Sequence, residues 1–181
     1  MGDNILGFAE EVGKDIANLQ GRFYEGVGAP EGKVTAPVGT SYIDSAATTG
    51  AIRWIKTSGT GATGWKVEYG DTGWRDLSSL LPSGVSGTIN FRRQNDWVYL
   101  LLVNISGLTG NVTLNIPDTA PRNSHYMEVA IANTRTAERQ LFRALGNNHV
   151  LMPNGTNSTA YGSVSWMTQS PWPTTLPGTP A

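Results

Sequence analysis

Side chains able to move protons are few and scattered. After Asp76 the chain holds only four carboxylates, Asp96, Asp118, Glu128 and Glu138. Glycoside hydrolysis needs two carboxyl groups about 5–9 Å apart across a cleft. Asp96 falls in a tight hairpin and Asp118 follows Pro117 in a turn, both ordinary places for a solvated or capping Asp. The two histidines, His125 and His149, have many serines as possible partners, but no serine stands in a nucleophile-elbow motif. With no cysteine, thiolate metal sites, cysteine nucleophiles and disulfides are excluded together, and two isolated histidines form no ligand cluster. Gly59-Thr-Gly61 lacks the strand-to-helix setting and the Gly-Lys-Ser/Thr ending of a phosphate loop. The expectation is a protein without enzymatic activity, cofactor or metal.

Recognition chemistry is better represented. An exposed Trp or Tyr flanked by Asn, Gln, Ser and Thr stacks on a sugar ring while its neighbours hydrogen-bond the hydroxyls. Phe91, Trp97, Tyr99, Phe142 and Trp166 stand in or beside apolar alternations and read as packed residues. Tyr126, Tyr161 and Trp172, at strand ends or in the tail, are the candidates for receptor contacts. Asn-x-Ser/Thr occurs at Asn104, Asn111, Asn154 and Asn157, as chance provides in a chain this rich in Asn, Ser and Thr.

Composition sets the class of fold that must position these residues. Only 15% of the 181 residues are charged, and 22 are Gly, with Ser, Thr and Asn also abundant. That balance favours strands and turns and excludes a mostly helical protein. A net charge of −1, with Arg92-Arg93 as the only adjacent cations, argues against a nucleic-acid partner. No apolar run reaches the roughly 18 residues of a membrane span, and the start lacks a signal-peptide layout. A soluble chain that neither inserts into membranes nor uses the general secretory route is expected.

The elements follow from periodicity. In residues 1–24, Ile5, Phe8, Val12, Ile16, Leu19 and Phe23 are spaced 3, 4, 4, 3 and 4, one face of a helix. The mean period of 3.6 repeats after 11 residues and predicts a nearly straight or slightly right-handed bundle. A helix this short is marginal alone, so self-association is expected; the alternative is a helix lying on its own β-domain. Residues 25–40, with Gly and Pro but no apolar period, read as a linker. Residues 41–76 read as a small β module with an echo, Thr63-Gly-Trp65 and Thr72-Gly-Trp74, and residues 77–84 as a connector. From 85 to 181 strand and turn signals alternate, predicting strands near 85–93, 96–105, 110–116, 125–132, 139–145, 148–152 and 160–168 in an antiparallel sandwich. Trp97 to Val103 is apolar at every position, so both faces of that strand need cover. Trp97, Tyr99 and Leu101 are therefore expected at a subunit interface, with the strand lying beneath a long loop as the alternative.

Three strings carry a resemblance. Pro37-Val-Gly-Thr-Ser-Tyr-Ile-Asp44, then Gly50 to Lys56 and Thr57-Ser-Gly-Thr-Gly-Ala-Thr-Gly-Trp65, resemble a pattern of bacteriophage tail fibres and minor tail proteins. The end from Val164 to Ala181 resembles the C-termini of minor tail proteins from phages of actinobacteria. Ile116-Pro117 through Pro121-Arg122 resembles a turn of fibre head domains, although Arg122 here follows the proline. The resemblance implies a homotrimer located in the virion and assembled in the host cytoplasm. It implies an N-terminal bundle joined to other tail proteins and a distal head that meets a host-surface glycan. A purely structural virion component and a glycan depolymerase are the rival functions.

Overall fold

A computed structural model describes residues 2–116, 119, 127–132, 139–145, 148–152 and 158–181. The chain is mainly β, with one N-terminal helix and three sheets among the described residues. Two compact units divide at Gly70 and Asp71.

In the first unit, helix α1 spans Gly2–Gln20. It ends where Gly21 N donates to Ala17 O (3.0 Å) and Arg22 N to Leu19 O (3.1 Å). Every described side chain of α1 is exposed, Ile5 by 71% and Phe8 by 69%. Phe23, expected to close the helical stripe, instead opens β1 (Phe23–Gly26), because the chain turns out of the helix at Gly21. Strand β1 runs parallel to β2 (Ser41–Asp44), and β3 (Ala51–Lys56) and β4 (Trp65–Gly70) follow antiparallel, in sheet order β1-β2-β3-β4. Tyr42, Trp54 and Trp65 fill its core.

Residues 25–40 are an integral part of this unit and not the linker their composition suggested. Polar groups hold them: the Asp44 carboxylate accepts from Gly28 N (2.8 Å), and the Trp65 indole N–H donates to Val34 O (2.9 Å). The Glu31 carboxylate accepts from Gly64 N (3.2 Å) and Trp65 N (2.8 Å). The glycine-rich turn after β3 closes over a buried ammonium. Lys56 Nζ donates to Gly61 O (2.6 Å) and to Thr63 O, and lies 5.8 Å from the centre of the Trp65 ring. Gly64 has φ +93°, and a Cβ there would stand 2.4 Å from Ser58 O, so the turn requires glycine.

The second unit begins earlier than residue 85, because β5 (Arg75–Asp76) pairs with β6 (Ser86–Gln94). A 3-10 turn, Ser78–Leu80, lies between them. Strands β7 (Trp97–Leu108), β8 (Val112–Asn115), β9 (Met127–Ala132), β10 (Arg139–Leu145), β11 (Asn148–Met152), β12 (Ser158–Met167) and β13 (Thr179–Pro180) complete it. From β6 to β12, each start falls within two residues of its expected position. One sheet has the order β8-β11-β10-β9 and the other β12-β7-β6-β5-β13. Val112, Leu114, Phe142 and Leu151 from the first share a core with Ile89, Phe91, Val98, Leu100, Leu102, Val164 and Trp166 from the second.

Asn95-Asp96 joins β6 to β7, with Gln94 opposite Trp97 and Asn95 at φ 50°. Farther along β7 the alternation breaks at Asn104 (φ 50°), opposite the register shift between Ser86 and Thr88, and the buried side chains change from Val98, Leu100 and Leu102 to Ile105 and Leu108. The tail returns along this sheet. Arg75 donates to Pro177 O (3.0 Å) and Gly178 O (2.8 Å), which seats β13 on β5.

Candidate functional site

The outer face of β7 gathers the aromatic and polar groups best suited to recognition. Strand alternation sends Val98, Leu100 and Leu102 into the core and Trp97, Tyr99, Leu101 and Val103 outward. Trp97 is 43% exposed and stacks on Tyr99, with centroids 6.4 Å apart and planes at 28°. The register places Tyr99 between Arg92 and Ser165, and Leu101 between Asn90 and Ser163. A row of hydroxyl and amide groups therefore flanks a row of apolar ones.

Trp74 closes one side of this face. Its approach is fixed at Asp71-Thr72-Gly73, where Asp71 Oδ1 accepts from Gly73 N (2.9 Å) and Thr72 N donates to Arg93 O (3.0 Å). Arg93 N in turn donates to Thr72 Oγ1 (2.8 Å). The Arg92 guanidinium lies 6.0 Å from the centre of the Trp74 ring and grips Asp71 with two nitrogens, Nε at 2.9 Å from Oδ1 and a terminal nitrogen on Oδ2. Hydrogen bonding from the Arg92 side chain holds the Asp71 carboxyl below the usual carboxylate range. Trp74, Tyr99, Leu101, Ser163 and Ser165 line a depression of about 350 Å³.

The described receptor candidates read from sequence, Tyr161 and Trp172, do not line this depression. Tyr126 lies outside the described residues. Tyr161 is half-buried in β12. Trp172 is buried at 7% exposure, a correction to its expected place on the surface. Its ring sits 5.0 Å from the Arg93 guanidinium, which also donates to Asn95 O (3.0 Å), Ser170 O (2.8 Å) and Pro171 O (2.7 Å). A desolvated cation held by three carbonyls and an aromatic face anchors the tail. Of the interface candidates, Ile5, Phe8, Val12, Ile16, Leu19 and Phe23 are exposed, while Trp97, Tyr99 and Leu101 share the outer face of β7.

Trp74, Asp71, Arg92, Ser163 and Ser165 were not named as site residues from the sequence. Their signals are an Asp-Thr-Gly turn that aims a tryptophan and a two-residue serine period opposite a wholly apolar strand.

Asp96, weighed for catalysis, is exposed in the turn between β6 and β7. Asp76 accepts from Ser78 N (2.7 Å), and hydrogen bonds from Ser78 lower its pKa. His149 is buried against Phe142 and Trp166. His125, Asp118 and Glu138, with the side chain of Glu128, lie outside the described set. Among the described residues, no group of three His, Cys, Asp or Glu side chains could hold a metal ion, and no helix is long and apolar enough to cross a membrane. No family model, curated protein or solved structure matches the chain.

Proposed function

We propose that the chain is a subunit of a homotrimeric phage tail fibre or receptor-binding protein. In this reading α1 forms a three-helix bundle joined to other tail proteins, and the two-sheet unit is a β-sandwich head that attaches to a host-surface glycan. The observation that carries it is the helix: Ile5, Phe8, Val12, Ile16 and Leu19 form one apolar face, and all five are exposed. An isolated helix of this length is marginal in water, so a stripe left exposed among the described residues points to association through that stripe. The tail-fibre strings between Pro37 and Trp65 and from Val164 onward support the phage assignment. We assign assembly to the α1 stripe alone, which leaves the Trp97, Tyr99 and Leu101 face open to a ligand.

The test is solution mass by size-exclusion chromatography with light scattering, followed by binding to actinobacterial cells. Wild-type chain is expected at three times 19.4 kDa. Val12→Asp with Ile16→Asp is expected to run at one, because burying unpaired carboxylates in the seam costs several kcal/mol. A wild-type monomer would overturn the reading. Capture of virion proteins without cell binding would make the chain a structural component, and release of reducing sugar ends would make it a depolymerase.

A further inference from the structure

We propose that the depression between Trp74 and Tyr99 is a binding site for a neutral hexose unit of a surface saccharide. The inference rests on the receptor-binding reading and gives it a location and a ligand class. Three features select the ligand. First, the apolar surfaces are flat or low: Trp74 at one side, and Tyr99 and Leu101 across the floor. A pyranose presents a face of C–H groups to such a surface and turns its hydroxyls to the rim. Second, Ser163 and Ser165, paired across from Leu101 and Tyr99, place two hydroxyls beside those apolar groups, each able to donate and accept. Third, the lining is electrically neutral. Of the ions in the flanking strands, Arg92 is matched by Asp71, and Asp76, opposite Asn90, is a carboxylate that disfavours a carboxylated, sulfated or phosphorylated sugar.

Rigidity favours the same conclusion. The Asp71 turn, the Arg92 guanidinium against the Trp74 ring, and the pairing of Thr72 with Arg93 fix the indole before any ligand arrives. A preformed aromatic wall avoids the ordering cost that weakens small-ligand binding. A volume of about 350 Å³ suits a mono- or disaccharide and not an extended chain lying lengthwise. A second copy of this chain is the competing occupant. A subunit seam, however, would bury the hydroxyls of Ser163 and Ser165, each requiring a new partner, and would desolvate the Asp71–Arg92 pair.

The experiment uses the full chain, with isothermal calorimetry and ligand-observed NMR against glucose, galactose, mannose, N-acetylglucosamine and N-acetylgalactosamine. Sialyllactose and heparin serve as anionic probes. At least one neutral sugar is expected to bind saturably, about tenfold more weakly to Trp74→Ala and to Tyr99→Ala, with Trp74→Phe restoring most of the affinity. Circular dichroism and the melting midpoint establish that each variant is folded. Lack of neutral-sugar binding by wild type, equal binding by Trp74→Ala, or binding of the anionic probes alone would overturn the site. A fall in solution mass for Trp74→Ala with sugar binding intact would make the face a seam between copies. Host-cell attachment unchanged in Trp74→Ala removes the site and keeps the fibre reading. Sugar binding at Trp74 without any cell attachment keeps the site and removes that reading.

Discussion

His149 shows how one side chain fixes both a tautomer and a pH response. Thr119 Oγ1 donates to Ile116 O (2.6 Å), so its proton is committed, and the 2.8 Å contact with His149 Nε2 must be an N–H of the imidazole donating to the hydroxyl. The Nδ1 lone pair is then bare and buried, without a partner among the described residues. Protonation there would place a charge between Phe142 and Trp166, and burial lowers the pKa from 6.5 to about 4. Because the unfolded state binds the proton more readily, stability is full above pH 6.5 and declines as pH falls toward about 4, by about 3 kcal/mol in all. Urea midpoints measured across that window should fall for wild type and stay nearly level for His149→Phe. Asp71 acts in a separate, more acidic window, since its lowered pKa contributes stability that is present above the ordinary carboxylate value and lost below it. Lys56 is the corresponding anchor of the first unit. Lys56→Met leaves Gly61 O and Thr63 O without their cation and should lower the stability of that unit by about 2–4 kcal/mol, read from its own thermal transition.

At the scale of elements, periodic segments were legible and polar-fastened ones were not. Strands β10 and β11 lie where alternation predicts, and the Gln94–Trp97 hairpin where its turn residues predict. Residues 25–40 misled because their order comes from a Glu31 carboxylate, an indole N–H and buried Pro30 and Ala36, none of which produces a hydrophobic period. The two Thr-Gly-Trp copies look equivalent in sequence, yet Trp65 is 5% exposed and Trp74 is 42%. Their fates depend on partners distant in sequence, Val34 for the first and β6 for the second. Trp172 was misplaced for the same reason, since Arg93, which covers it, comes from β6. The helix offers an element-scale prediction. Gly7 and Gly13 have open space where a Cβ would stand, and each costs about 1 kcal/mol of helix propensity relative to Ala. Gly7→Ala, far round the helix from the apolar stripe, should raise helical content and the melting temperature of the assembly while leaving its mass unchanged.

For the whole molecule, the proposed arrangement joins weak heads to a common stem. One aromatic depression of this size gives modest affinity, but heads held together raise avidity for a repeating polysaccharide by about 10²–10⁴. Surface plasmon resonance on an immobilised glycan that binds the wild-type chain should show slow dissociation for the assembly. The Val12→Asp, Ile16→Asp chain should dissociate rapidly while keeping the same affinity for the free monosaccharide. Equal dissociation rates would remove the multivalent part of the proposal.

The edge strand β13 limits a hazard common to open sheets. Open strand edges at high local concentration recruit one another and seed aggregation. The five-stranded sheet ends on the β13 side in a strand of two residues, Thr179–Pro180, and proline has no backbone N–H to offer an incoming strand. An incoming strand is thus denied a continuous hydrogen-bonding template along this margin. Pro180 makes the end of the tail a guard against fibrillar stacking.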